Sequence, residues 1–301
     1  MSLPLKELIK IGENQLAEAG IADAAIDAKL LYRFLDKLDA VGLMMHWQDV
    51  LQDNTCEEYF DLIARRAAGE PLQYITGQQE FMGLDFKVNP WVLIPRQDTE
   101  TMVEDAIELI SKGTVRAAEY AKAGGIKDVL DLCCGSGAIG VSIAKMCPKT
   151  RVTCSDISEE ALSVAKENAR ANDCKSVKFE KSDLFAGFAG KLGRKKFDLI
   201  ISNPPYIKSE VIPTLQTEVK DHEPMMALDG GQDGLDFYRR IAEAAPGHLT
   251  RDGILMMEIG RDQGEEVTEL LRKTESFELI DCLKDLAGRD RIVIGRLVKK
   301  K

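Results

Sequence analysis

Short apolar runs that alternate with helical stretches constrain this chain more than any other feature. Val129-Leu130-Asp131-Leu132, Val152-Thr153-Cys154-Ser155, Val177-Lys178-Phe179, Phe197-Asp198-Leu199-Ile200-Ile201 and the segment 253–259 read as strands. Residues 138–146 between the first two have helical character, and Ser158 is placed to N-cap a helix running to about Ala171. Strands this apolar are buried on both faces, and a parallel crossover needs a helix to bring the chain back. The pattern therefore predicts an α/β fold with a doubly wound, mostly parallel sheet. The end breaks the rhythm: segments 277–282 and 291–297 flank Gly288-Arg289-Asp290 as an antiparallel hairpin.

The first quarter obeys a different period. Leu5, Leu8, Ile9, Gly12 and Leu16 recur at helical spacing, as do Ala28, Leu31, Leu35 and Leu38, then Tyr59, Leu62, Ile63 and Arg66. Turn signals stand at Gly20, Gly42 and Asp53-Asn54. From Gln78 to Pro90 apolar residues alternate (Phe81, Leu84, Phe86, Val88) around a turn at Gly83, and 97–112 returns to helix, stopped by Gly113. The expected organisation is a small helical domain over 1–76, a β-hairpin linker over 77–96 and an α/β domain over 97–301. Residues 117–125 read as a soft surface connection and Lys299-Lys300-Lys301 as a solvated tail.

Composition narrows the partners. A net charge of −10 is a poor match for a duplex nucleic acid held through its phosphates. Seven scattered cysteines, an odd number without C-x-x-C, indicate reduced thiols, and no cysteine stands at a metal-like interval from the three histidines. The N-terminus carries Lys6-Glu7 with no long apolar stretch behind it, and no uncharged run reaches spanning length. A cytoplasmic protein without membrane segments is the expectation.

Asp131-Leu132-Cys133-Cys134-Gly135-Ser136-Gly137-Ala138-Ile139-Gly140 joins the first strand to its helix. Glycine lets backbone approach a ligand, and N–H groups at a helix start favour acceptors. Glycines at 135, 137 and 140 also satisfy the dinucleotide spacing, so a nicotinamide cofactor competes. Asp156, an acid ending the second strand, serves ribose hydroxyls in either case. Ser182-Asp183-Leu184, after the third strand, offers a carboxylate for an adenine amino group, and no hydride-transfer acid/base is placed here.

The next strand ends in Asn203-Pro204-Pro205-Tyr206. Two prolines fix φ and remove two donors, which leaves nearby carbonyls as free acceptors. The Asn203 side-chain oxygen and the Pro204 carbonyl can then accept both hydrogens of a planar –NH2 and aim its weak lone pair at an electrophile.

That tetrapeptide with the loop at 131–137 resembles the methyltransferases of amide and exocyclic amino nitrogens. Glu70-Pro71-Leu72-Gln73-Tyr74-Ile75-Thr76-Gly77, Phe81-Met82-Gly83-Leu84 and Leu93-Ile94-Pro95-Arg96-Gln97-Asp98-Thr99-Glu100 narrow the resemblance to bacterial peptide-chain-release-factor glutamine N5-methyltransferases. Glu223-Pro224, the block 227–235, Glu258-Ile259-Gly260 and the block 284–291 agree. The resemblance spans roughly 70–297. It implies a seven-stranded Rossmann-like sheet, S-adenosyl-L-methionine as cofactor, and class 1 release factors as protein substrate, methylated on the glutamine of their Gly-Gly-Gln motif. Asp131, Cys133, Cys134, Gly135, Ser136, Gly137, Asp156, Asp183, Leu184 and Asn203 would bind the cofactor. Asp131 would orient the loop or the cofactor's amino end; Asp183 and Leu184 would take the adenine edge and face. Asn203 and Pro204 would position the amide, Pro205 would complete the rigid segment and Tyr206 would stack or wall, with no residue as nucleophile or general base. Residues 95–100 would border the active site, with Asp98 or Thr99 capping the helix there. Cys133-Cys134 departs from the family, where small Gly or Thr residues are commoner. A DNA adenine-N6 methyltransferase would share the tetrapeptide but would want a basic recognition surface. A cofactor-binding scaffold without transfer would not need Asn203 to Tyr206.

Overall fold

The computed structural model describes residues 3–116, 118–120, 125–190, 193–285 and 287–298. Most of the connection at 117–125 and the tail at 299–301 lie outside the described residues. Contacts divide the chain into a unit of residues 1–78 with 216–222 and a second unit of 79–215 with 223–301.

The helical unit holds Leu5–Glu18, Ala24–Asp36, Ala40–Met45, Asp53–Ala67 and Leu72–Thr76. The periodic residues Leu5, Leu8, Ile9, Leu16, Ala28, Leu31, Tyr59 and Ile63 form its core. Two expected turns are helix starts instead. Gly42 lies inside Ala40–Met45, where its N–H is capped by Asp39 Oδ1 at 2.7 Å, and Asp53-Asn54 opens Asp53–Ala67. An acid in the first turn favours that start through the helix dipole. Buried Arg66 pairs with Asp27 and Glu218, each at 2.7 Å, and so fastens the short helix Thr217–Lys220 into this unit. Nothing in the sequence pattern foretells that return.

In the second unit, β1 (Gln78–Phe81) and β2 (Leu84–Lys87) form the expected hairpin. Besides two short two-stranded pairs, seven strands form the large sheet: β3 (Asp128–Leu132), β4 (Arg151–Asp156), β5 (Lys178–Lys181), β6 (Phe197–Ser202), β7 (Leu249–Glu258), β8 (Phe277–Lys284) and β9 (Asp290–Leu297). They make one sheet in the order β8-β9-β7-β6-β3-β4-β5, parallel from β7 to β5 and antiparallel where β9 meets β7 and β8. This is the doubly wound sheet with a C-terminal hairpin. Alternation sets the two cores: Val129, Leu199, Ile201, Ile254 and Met256 join one, while Leu130, Ile200, Leu255 and Met257 join the other. Helices Gln97–Lys112 and Ala138–Met146 supply residues to the first core, Asp236–Ala244 and Gly264–Lys273 to the second.

Candidate active site

From β3 the chain winds to β4 and β5 on one side, then returns to β6 and β7 on the other. The crossovers diverge above the carboxyl ends of β3 and β6, the place where open α/β sheets bind ligands. Leu132 and Ser202 stand opposite there, and buried Ser202 donates from Oγ to the Leu132 carbonyl at 2.7 Å. The glycine loop and the Asn203 segment thus leave the sheet tied together.

They open onto a cavity of about 260 Å³. Cys133, Cys134, Gly135, Ser136, Asp156, Asp183, Leu184, Asn203 and Pro205 line it, joined by Trp91, Val92, Leu93, Pro95, Arg96 and Thr99 from the segment after the hairpin. Asp156 Oδ2 accepts the Gly135 N–H at 2.9 Å and Oδ1 the Ser158 N–H at 3.0 Å. The Ile157 N–H also bonds to this carboxylate, and the remaining lone-pair capacity can take a hydroxyl. Burial pushes this carboxyl above its ordinary value. Buried Asn168, which carries no motif, staples the loop: its amide nitrogen donates to Ser136 O at 2.9 Å and Lys87 O at 3.0 Å, and its oxygen accepts the Lys87 N–H at 2.7 Å. Asp183 is exposed and meets Arg240 at 2.6 Å, beside Phe237 in the wall.

The three glycines divide the work. At Gly135 (φ 51°) an added Cβ would meet nothing within 4 Å, so its backbone is open to a ligand. At Gly137 a Cβ would stand 3.0 Å from that of Ala165, and at Gly140 it would collide with Cys154 Sγ and stand 2.9 Å from Asp131 Oδ2. The last two are packing glycines, and of the three only Gly135 leaves its backbone open to a ligand. Cys133 adopts φ 62°, left-handed for a residue with a Cβ, which gives a physical reason for glycine to be the commoner choice there. Burial pushes its thiol up, away from the reactive thiolate form.

Four expected site residues stand off the wall. Asp131 is fully buried under the loop, its Oδ2 accepting the Gly140 N–H at 2.8 Å, and burial pushes its carboxyl up to about 7. Its carboxylate holds the start of the following helix at Gly140. Gly137 is wedged against the helix Glu159–Ala171, and Pro204 is buried. Tyr206, expected as a wall, packs its ring against the second core, and burial pushes its hydroxyl up to about 12. Close backbone packing holds it there: a Cβ on Gly230 would fall 2.7 Å from Tyr206 Cα, and one on Gly234 2.5 Å from Tyr206 O. The glycines of the block at 227–235 let that loop lie flush on the tetrapeptide.

Behind Asn203 is a polar cluster. Asn203 Nδ2 donates to Thr99 Oγ1 at 3.3 Å. Thr99 does not cap its helix; Arg96 holds the N-cap position without a side-chain bond, and Asp98 reaches Arg291 at 2.9 Å. Glu258, at the end of β7, is buried with its carboxyl pushed up to about 7 by burial, against hydrogen bonds from Thr99 and Asn203. Arg96 pairs with buried Glu223 across the cavity wall. An acid closing a buried strand is the signal that marks Asp156, and Glu258 displays it too. Among the described residues no cluster of His, Cys, Asp and Glu is arranged to hold a metal ion, and no helix is long and apolar enough to cross a membrane.

Lone-pair capacity on Asp156, an open backbone at Gly135 and the apolar faces of Ile139, Ile157 and Leu184 suit an adenosine-bearing donor, and Asn203 and Pro205 line the same cavity. Fold and site define an S-adenosylmethionine-dependent methyltransferase. Residues 112–219 match the family described as Methyltransferase small domain, and 7–77 the PrmC N-terminal domain. The fold is shared with the hMettl16 catalytic domain (TM-score 0.54, 15% identity, 79% of this chain and 81% of that one). A Pyrococcus furiosus methyltransferase is similar at TM-score 0.50 and 18% identity, over 77% and 96%. Release factor glutamine methyltransferase of Clostridium acetobutylicum is 42% identical over 270 residues, 89% of this chain and 90% of the relative. That of Geobacter sulfurreducens is 42% identical over 295 residues, 97% and 96%. The chain belongs to the release factor glutamine methyltransferase family.

Proposed function

We propose that this enzyme methylates the side-chain amide nitrogen of the glutamine in the Gly-Gly-Gln motif of class 1 release factors, in the cytoplasm, without binding duplex nucleic acid. The observation that carries the reading is Asn203: with its nitrogen engaged by Thr99, its oxygen is the end left to accept an amide N–H at the cavity. When bound, S-adenosylmethionine supplies an electrophilic methyl group on a sulfonium. Asp156 holds the ribose hydroxyls, Leu184 covers the adenine face, and the exposed Asp183 carboxylate is placed to receive the adenine amino group. Asn203 and the Pro204 carbonyl fix the amide plane. An amide nitrogen is barely basic but needs no prior deprotonation once its plane and approach are fixed. Orientation of this kind supplies several kcal/mol, about 7–11 in favourable cases. No side chain is asked to act as nucleophile or general base; the proton leaves after transfer, when it is acidic.

The helical unit is assigned to the protein substrate. Exposed Ile26 and Met44 border an apolar groove rimmed by Lys29 and Arg33, with exposed Val41 and Met45 on the same short helix as Met44. A methyl-labelled cofactor offered with intact release factor or with duplex DNA tests the proposal. Label should enter the release factor and not the DNA; label in DNA alone would overturn it.

A further inference from the structure

Three sequence blocks lie far apart in the chain yet meet behind Asn203. Thr99 is in the first turn of Gln97–Lys112, Glu258 ends β7 and Arg291 lies in β9. Glu258 is 1% exposed, and its Oε2 finds no hydrogen-bond partner. Arg291 divides its guanidinium between Asp98 at 2.9 Å and Asp285 at 3.3 Å. A carboxyl in such a place works against folding, and a neutral side chain of the same shape would cost less. Its presence therefore calls for a use, and its neighbours supply one: the Thr99 hydroxyl and the Asn203 amide nitrogen, bonded to each other at 3.3 Å, are the groups beside it that favour its charged form.

We infer that Glu258 and Thr99 are positioning residues that lock the Asn203 amide with its nitrogen inward and its oxygen toward the methyl acceptor. The inference rests on reading Asn203 as the amide grip. The two flips of an asparagine amide have nearly the same shape, so only partners that tell N–H from oxygen can choose between them. Acceptors behind the side chain select the nitrogen. The wrong flip would set lone pairs against Glu258 and present N–H groups to a substrate –NH2 that needs an acceptor. An ionised Glu258 also polarises the amide through its N–H and strengthens the far oxygen as acceptor. The charged and titratable groups around Glu258 are Arg291, Asp98, Tyr206 and Tyr238.

The test uses the full chain and an intact release factor, with turnover, KM and calorimetric cofactor affinity measured on Thr99→Val, Thr99→Ser, Glu258→Gln and Asn203→Ala. Thr99→Val and Glu258→Gln should each lower kcat on the order of tenfold with cofactor affinity and KM unchanged. Thr99→Ser should recover most of the loss, and Thr99→Val added to Asn203→Ala should cost nothing further. Wild-type turnover in Thr99→Val and Glu258→Gln, with Asn203→Ala impaired, overturns the inference and leaves the grip standing. Wild-type turnover in Asn203→Ala overturns the grip and the inference together. A Thr99→Val loss that Ser does not rescue, or that appears equally in cofactor affinity, assigns Thr99 to structure and also overturns it. Valine keeps the shape of threonine, so the Val and Ser pair decides even if Glu258→Gln folds poorly.

Discussion

The two ends of the cavity are built by different means. The cofactor end is mostly backbone: the left-handed turn at Cys133 and Gly135, N–H groups held by Asp156, and packing glycines at 137 and 140. The acceptor end is mostly side chain: Asn203, Thr99 and Glu258, with Arg291 and Asp98 behind them. Backbone sites are assembled within one turn of chain, whereas a side-chain cluster needs several strands in register. The first end should accordingly govern cofactor affinity and the second turnover.

The strongest way to break that division is Asn203→Ala. Loss of the acceptor should lower kcat by roughly 10²–10³-fold, the range for removing one oriented group from a transition state, with cofactor affinity changed far less. Steady-state kinetics beside calorimetry would show it, and parallel losses in both quantities would erase the distinction. Asp156→Ala is the converse. Its ribose contacts should cost roughly 1–3 kcal/mol of cofactor binding, read by calorimetry, while turnover at saturating cofactor changes far less. Unchanged affinity would remove Asp156 from the ribose.

Glu258→Gln sharpens the comparison through stability. The folded carboxyl is raised to about 7 from an ordinary 4.5, so its favourable contribution is complete below pH 4.5 and is lost as pH rises through 7. Replacing it should raise stability relative to wild type increasingly between pH 5 and pH 8, by about 3 kcal/mol at most, followed as a rise in Tm. A flat difference across that window would mean that Glu258 is not held near neutrality by burial. The smallest effect is expected at Cys133→Gly. Glycine relieves the left-handed strain but loosens the unfolded chain, so stability should move by less than about 1 kcal/mol in thermal melts. A loss of several times that would make the thiol's packing essential.

The same division explains what the sequence could reveal. The helices at 97–112 and 138–146 and Ser158 as N-cap are local patterns, and the fold realises them as read. β5 runs to Lys181 rather than stopping at Phe179 because it is an edge strand whose exposed face carries Lys and Glu instead of an apolar run. β7 starts at Leu249, four residues early, because Thr250 and Asp252 hide the strand signal although Thr250 bonds Asp198 at 2.7 Å inside the sheet. The partnership of Thr99 with Glu258 could not be read at all, since only the sheet order brings β7 and the start of Gln97–Lys112 to one place. Tyr206 was legible as part of a motif but not as a residue facing the second core, because the glycines that press on it come from a loop without periodicity.

The central claim is that the Asn203 segment grips an amide nitrogen, and fragmentation mass spectrometry of release factor treated with enzyme and S-adenosylmethionine tests it most directly. The account predicts one added methyl group on the side-chain nitrogen of the Gly-Gly-Gln glutamine, absent when Asn203→Ala replaces the wild type. A methyl group on any other residue, or the same product from Asn203→Ala at the wild-type rate, would contradict it.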